Sequence, residues 1–337
     1  MKAYIRNIEV YLPEVLEENP KGRLRQKTGI ERRHICPEDM TASDMAVRVA
    51  EKLFQRGEDR KKVDFVLFCT QSPDYFLPTT ACILQDKLGF DKSCGALDFN
   101  LGCSGYIYGL GLAKGLIETN QAKSVLLLTA ETYSKYINLQ DWATRPLFGD
   151  AATATLIEST NEEKDGIYGF TYGTDGSGAN QLIVPVGGSR NPFLTTEIEE
   201  FSDKYGNYRT NRNLYMNGND IMNFALDVVP ETLSRVLEKA GITKEQVDCY
   251  VFHQANEFML SFLQRKCELK NLPYWNDVAE YGNTVSSSIP LAIFDMLKKN
   301  SSKKMARVLL LGFGVGLSWG GCIADLRKIQ GVDSDDV

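Results

Sequence analysis

The sequence predicts an α/β protein built from two copies of one unit. Three observations carry this expectation. Apolar runs such as Val63-Asp64-Phe65-Val66-Leu67-Phe68-Cys69 alternate with segments of helical spacing, the pattern of strands covered on both faces by helices. Val63-Asp64 opens one apolar strand, and Val247-Asp248 opens another 184 positions later, with Gly57 and Gly241 separated by the same interval. Val125-Leu126-Leu127-Leu128 is matched by Val308-Leu309-Leu310-Leu311 at an interval of 183. A near-constant interval across several elements marks an internal duplication.

Taken in order, residues 1–40 open on a strand, and a charged loop then leads into Thr28-Gly29-Ile30-Glu31-Arg32-Arg33-His34. Residues 41–56 read as an amphipathic helix, with Ser43 at the N-cap and Met45, Ala46, Val49 and Leu53 on its apolar stripe. The strand at 63–69 is followed by a Pro-bearing loop at 72–80 and a helix at 81–88. Next, Ala96-Leu97-Asp98-Phe99-Asn100-Leu101 runs into Gly102-Cys103-Ser104-Gly105, a strand, a tight turn and a helix start. Gly105, Gly109, Ala113 and Gly115 give that helix a small face, against which other backbone can approach. A strand at 124–129 completes the first copy. Residues 160–220 break the pattern with Gly, Asn and Tyr, and read as a junction with an exposed excursion at 189–213 that could cover a site. Two units are expected, 1–175 carrying Cys103 and 176–337 carrying His253 and Asn283.

Composition narrows the function. With 337 residues, 43% hydrophobic and 24% charged, the chain suits a globular protein of one large or two medium domains. A net charge of −6 speaks against a general nucleic-acid or anionic-membrane surface. Met1-Lys2-Ala3-Tyr4-Ile5-Arg6-Asn7-Ile8-Glu9-Val10 reads as a strand and not a signal-peptide core, and no apolar run reaches spanning length, so a cytoplasmic location is expected. Eight cysteines without CxxC pairing read as reduced thiols, with neither disulfides nor a metal site.

Four segments carry candidate chemistry. A thiol at a helix N-terminus faces unpaired N–H groups and the positive dipole end, which favour the nucleophilic thiolate; this nominates Cys103. Of two histidines, His34 lies in a charged loop and reads as structural, whereas His253 closes an apolar strand in His253-Gln254-Ala255-Asn256. Strand C-terminal ends are where α/β proteins place chemistry, and an imidazole there can act on a thiol or an oxyanion. Gly282-Asn283-Thr284 offers an amide donor that does not titrate. Gly312-Phe313-Gly314-Val315-Gly316-Leu317-Ser318-Trp319-Gly320-Gly321 lacks the basic residue of a phosphate loop and instead suits close backbone approach to a buried site. The duplication lets Cys103, His253 and Asn283 converge although they are far apart in the chain.

Together, Gly102-Cys103-Ser104-Gly105, the HQAN and GNT motifs and the glycine-rich segment resemble β-ketoacyl-acyl-carrier-protein synthase III, a thiolase-fold condensing enzyme. Thr28-Gly29-Ile30-Glu31-Arg32-Arg33 and Leu147-Phe148-Gly149-Asp150 extend the resemblance over nearly the full chain. It implies duplicated βαβαβαββ halves in a five-layer αβαβα arrangement. It further implies a ping-pong reaction with no cofactor beyond thioesters carried on coenzyme A or phosphopantetheinyl acyl carrier protein. Cys103 would take an acyl group, with the N–H groups of Cys103 and Val315 as oxyanion hole beside Phe313 and Gly314. His253 and Asn283 would then stabilise the enolate formed as a malonyl thioester loses CO2. A homodimer is implied, in which Leu77 reaches across to line the partner's acyl pocket.

The chain also departs from that family. It lacks the Asp-Glu-Trp segment whose tryptophan stacks on the adenine of coenzyme A, and Trp142 replaces the facing arginine, with Arg145 nearby. Phe258, two past the HQAN motif, stands where an arginine often docks carrier protein, so Asn256, Arg265 and Lys266 complete the substrate-binding candidates. These departures make an acyl carrier protein at least as suitable a primer carrier as coenzyme A. Alternatives at this level are transfer of the acyl group to oxygen or nitrogen, a Cys-His-Asn protease, and a non-catalytic partner subunit.

Overall fold

The computed structural model describes residues 1–164, 166–300 and 305–329. Two five-stranded sheets repeat one design. The first runs, edge to edge, Lys2–Tyr11, Ala151–Thr160, Ser124–Glu131, Phe65–Cys69, Gly95–Phe99. The second runs Ile167–Thr174, Ser318–Ala324, Val308–Gly314, Cys249–Phe252, Tyr274–Trp275. Position for position, the pairings are antiparallel, antiparallel, parallel, parallel in both.

The matching aspartates explain why the repeat shows so clearly in sequence. The Asp64 carboxylate accepts the N–H groups of Lys123 and Ser124 at 2.6 and 3.1 Å. The Asp248 carboxylate accepts those of Ala306 and Arg307 at 2.7 and 2.8 Å. Each aspartate therefore satisfies backbone donors where two parallel strands begin, and sets their register.

Helices Gly105–Glu118 and Ser288–Lys299 lie between the sheets and pack on both. Ala42–Gln55 and Thr80–Lys87 cover the outer face of the first sheet, and Gly218–Ala240 and Glu257–Lys266 that of the second. The result is five layers, αβαβα, with one apolar core between the sheets and one beneath each outer helix pair. This is the thiolase-type architecture that the resemblance implied. The small face of the central helix is used at Gly109, where a Cβ would stand 2.6 Å from Leu127 Cδ1, but Gly115 meets nothing within 4 Å.

Three local details were not read from the sequence. The helix Ala42–Gln55 is capped by Thr41, extended at φ −105° and joined to Asp44 in a capping box. Ser43 already lies inside the first turn, and its hydroxyl donates to Asp74 instead, at 2.6 Å. Asp98, the charged residue of an otherwise apolar strand, accepts from the N–H groups of Thr80 and Ala81, both at 2.6 Å, and so caps the neighbouring helix. The strand Ile167–Thr174 precedes the boundary expected at 175/176, yet it is an edge strand of the second sheet.

Within the 189–213 excursion, Glu200–Ser202 and Tyr208–Thr210 form a hairpin. It is tied to the body where Tyr208 N–H donates to Gln140 O at 3.2 Å. Among the described residues, no helix is long and apolar enough to cross a membrane.

Candidate active site

The chemistry-bearing residues sit at strand ends and helix starts of the two halves. Cys103 occupies the turn after Gly95–Phe99, directly before Ser104, the N-cap of the central helix. His253 follows Cys249–Phe252, and its N–H donates to Leu311 O at 2.8 Å, continuing the sheet by one residue. Asn283 follows Gly282, whose φ of +65° turns the chain back. Cys103, His253 and Asn283 are all buried, and all three line one cavity of about 300 Å³. Phe313, Gly314, Asn256 and Phe258 line it as well.

Asn283 is held from several sides. Its N–H donates to Leu147 O at 2.8 Å, its carbonyl accepts from Gly149 N–H at 3.0 Å, and its Oδ1 accepts from Val285 N–H at 2.9 Å. The last bond commits the amide oxygen and leaves the NH2 for the cavity. Arg33 donates to Arg145 O and Phe148 O at 2.8 and 3.3 Å and ion-pairs with Glu17. A Cβ at Gly282 would meet its side chain at 2.9 Å. The two motifs around Arg33 and Phe148 therefore brace the turn that aims Asn283.

Close approach explains the glycines of 312–321. A Cβ at Gly314 would stand 2.8 Å from Cys103 Cβ and 2.9 Å from its Sγ. One at Gly312 would stand 2.6 Å from Cys103 O. With that space open, the backbone at Cys103 and Val315 comes close enough to the sulfur to favour its ionised form. Val315 itself faces away from the cavity and would meet a Cβ at Gly102 at 2.7 Å.

Electrostatics correct one expectation. Burial pushes the Cys103 thiol up to about 12, with the nearby Glu131 carboxyl acting in the same direction. The two backbone N–H groups pull the other way without prevailing. The resting residue is thus a neutral thiol, because desolvation outweighs the helix-start donors. Burial likewise drives His253 down to about 3, so its imidazole is neutral. Its Nδ1 lies 2.6 Å from Ser288 Oγ, which leaves Nε2 for the cavity, and its ring stands edge-on to Phe313 at 5.6 Å.

The outer candidates divide. Phe258 lines the rim, with the Lys27 ammonium 5.0 Å from its ring centre and the Phe262 ring at 4.7 Å. Arg265 stands 4.3 Å over Phe262, and Lys266 is exposed in the last turn of the same helix. Asn256 caps that helix by accepting from Met259 N–H at 2.9 Å. Trp142 is exposed beside the lining residues Ala143 and Thr144, outside the cavity. Arg145 is committed to an ion pair with Glu17. Leu77 is 83% exposed and does not line its own chain's cavity. His34 bonds to Pro13 O at 2.6 Å, also outside the cavity.

Sequence reasoning missed Lys27, Thr28, Met216 and Ile221 of the lining, and Ser288 behind His253. Ser288 carried a signal. It stands 183 positions after Gly105, at the start of the second copy's central helix.

Comparison with known proteins agrees with this geometry. The family model described as 3-oxoacyl-[acyl-carrier-protein] synthase III matches residues 97–176, and that of its C-terminal part matches 237–326. Beta-ketoacyl-[acyl-carrier-protein] synthase III of Clostridium perfringens (strain ATCC 13124) is 36% identical over 327 residues, covering 94% of this chain and 97% of that protein. The enzyme of the same name from Natranaerobius thermophilus is 34% identical, covering 92% of each. A crystal structure of 3-oxoacyl-(acyl-carrier-protein) synthase III superposes with a TM-score of 0.93 at 46% identity, covering 96% of this chain and all of that one. The 3-oxoacyl-(acyl-carrier-protein) synthase of Burkholderia xenovorans LB400 does so with 0.89 at 35% identity, covering 99% and 96%. The chain belongs to the 3-oxoacyl-[acyl-carrier-protein] synthase III family, thiolase-fold enzymes of the condensing, acyl-transferring type.

Proposed function

We propose that the chain catalyses the decarboxylating condensation of an acyl thioester with malonyl-acyl carrier protein, giving a 3-oxoacyl-carrier protein through an acyl-Cys103 intermediate. The observation that carries this reading is the meeting of a thiol, a neutral imidazole and a neutral amide at one cavity.

In the first half-reaction Cys103 Sγ attacks the thioester carbonyl. A new C–S bond forms, the donor's C–S bond breaks, and the thiol proton leaves with the departing thiol. The N–H groups of Cys103 and Val315 hold the developing oxyanion. In the second, the malonyl thioester loses CO2, and its carbonyl oxygen takes up negative charge. With the Ser288 hydroxyl donating to Nδ1, His253 carries its proton on Nε2 and donates to that oxygen beside the Asn283 NH2. Two neutral donors bind the enolate more strongly than the neutral ester, which is differential stabilisation of the transition state. The α-carbon then attacks the acyl-cysteine carbonyl, and Cys103 leaves as thiolate to be reprotonated.

Carrier-protein delivery of the acyl group is favoured by Lys27, Arg265 and Lys266 around the exposed rings of Phe258 and Phe262, a basic and apolar rim on an acidic chain. Arg145 already serves Glu17, which removes it from recognition of coenzyme A phosphates. A homodimer places Leu77 at the partner's acyl pocket. The unpaired outer side of Gly95–Phe99, with Leu97 exposed, offers the edge for that pairing. The test is to supply acyl and malonyl thioesters together and identify the product by mass. A 3-oxoacyl-carrier protein two carbons longer supports condensation, and release of an ester or amide with no carbon–carbon bond overturns it.

A further inference from the structure

The buried carboxyl of Glu131 takes no part in the steps above, yet it lies behind the nucleophile. It ends the strand Ser124–Glu131 and accepts from Gln71 N–H at 3.0 Å, Ser72 O–H at 3.1 Å and Ser286 O–H at 2.7 Å. These donors come from two separate segments. Gln71 and Ser72 root the loop that carries Leu77, and Ser286 lies three residues past Asn283. Ser286 is also the counterpart of Cys103 in the second half, 183 positions on. Between Asn283 and Ser286 the chain passes through Val285 at φ +54°, a conformation that a β-branched residue holds only under restraint. The Asn283 Oδ1–Val285 bond restrains it on one side and the Glu131–Ser286 bond on the other.

Cys69, Cys103, Tyr133, Tyr136 and Asp150 interact electrostatically with Glu131, and none of these is cationic. Among the described residues, no Lys or Arg pairs with it. Once Glu131 is ionised, its charge disfavours thiolate at Cys103, and no counter-ion among the described residues offsets it.

We propose that Glu131 is a positioning residue of this site: it ties the Asn283 turn to the root of the Leu77 loop and opposes ionisation of Cys103. The proposal rests on Cys103 being the nucleophile. Burial pushes Glu131 itself up to about 8, so its charge develops in the range where thiols react.

The test follows alkylation of Cys103 by iodoacetamide in the full chain from about pH 6 to about pH 10, read on the peptide that contains it, beside malonyl decarboxylation. Replacing the charge in Glu131→Gln should move the alkylation profile to lower pH, with labelling at least about fivefold faster near pH 10, where Glu131 of the parent is ionised, and no more than about twofold faster near pH 8, where it is half protonated. Glu131→Ala should slow decarboxylation by about tenfold, and Glu131→Gln should recover part of that loss because its amide oxygen still accepts from Ser286. Ser286→Ala, which breaks the tie and keeps the charge, should slow decarboxylation without moving the alkylation profile. A Glu131→Gln profile superimposable on the parent, or decarboxylation unaltered in both Glu131→Ala and Ser286→Ala, overturns the proposal. Parent Cys103 that resists alkylation at every pH overturns the nucleophile reading, and this proposal with it.

Discussion

Ser288 Oγ lies 2.6 Å from His253 Nδ1, and this one hydrogen bond decides which nitrogen of the imidazole faces the reaction cavity. His253 ends a strand, and Ser288 begins the central helix of the same half, so the pair is fixed by two rigid elements. With Nδ1 engaged by Ser288, Nε2 is the nitrogen presented to the cavity, and the ring is held in one orientation.

Ser288→Ala should therefore slow the step that depends on that donor. Loss of one neutral hydrogen bond worth about 1 kcal/mol corresponds to roughly a five- to tenfold fall in malonyl decarboxylation. Acylation of Cys103, which uses the backbone N–H groups, should stay within about twofold. Separate single-turnover measurements of the two half-reactions check this.

Gly314→Ala should act on the other half-reaction. Its Cβ would stand 2.8 Å from Cys103 Cβ, against a strand on one side and a helix start on the other. Acylation should fall by at least about a hundredfold, because misplacement of about an ångström at a reacting atom costs that much. The readout is the rate of adduct formation by intact mass, with a thermal melt to confirm folding.

The duplicated aspartates make a paired prediction. Asp64→Asn and Asp248→Asn each weaken a carboxylate that accepts two N–H groups at a strand pair. Each should cost about 1–3 kcal/mol, and by similar amounts, since the two sites repeat one geometry. Chemical denaturation of the two variants tests the equivalence.

Stability should depend on pH with two opposed contributions. His253 is held near 3 when folded against about 6.5 when unfolded. The unfolded chain therefore binds the extra proton, and this contribution is present above 6.5 and lost as pH falls towards 3. Glu131 and Asp277 are raised to about 8, both chiefly by burial, so the folded chain binds the extra protons. That contribution is present below the unfolded carboxyl values and lost as pH rises towards 8. From pH 6.5 to 8 the parent should lose stability, and Glu131→Gln should lose less. Denaturant midpoints across this window provide the check.

Much of the fold was legible because its signals are local. Apolar strands, the glycines at 57 and 241 and the Asp64–Asp248 pair repeat at nearly one interval, which marks the duplication. The convergence of Cys103, His253 and Asn283 followed from the same duplication. What stayed hidden depends on tertiary surroundings. The protonation of Cys103 turns on burial and on Glu131, which no spacing around residue 103 reveals. Arg145 looks free in sequence, but its partner Glu17 lies 128 positions away. Thr41 and Ser43 are both good capping residues, and only the Asp44 partner three positions after Thr41 separates them.

The central claim is that Cys103 carries the acyl group in a condensing reaction. Intact mass spectrometry after incubation with a panel of acyl-coenzyme A and acyl-carrier-protein thioesters, with Cys103→Ala alongside, tests it most directly. A single acyl adduct, absent from Cys103→Ala, is expected, with carrier-protein donors at least as effective as coenzyme A. That adduct should discharge when malonyl-carrier protein is added. Folded protein in which no donor acylates Cys103, or an adduct that persists in Cys103→Ala, would contradict acyl transfer through Cys103.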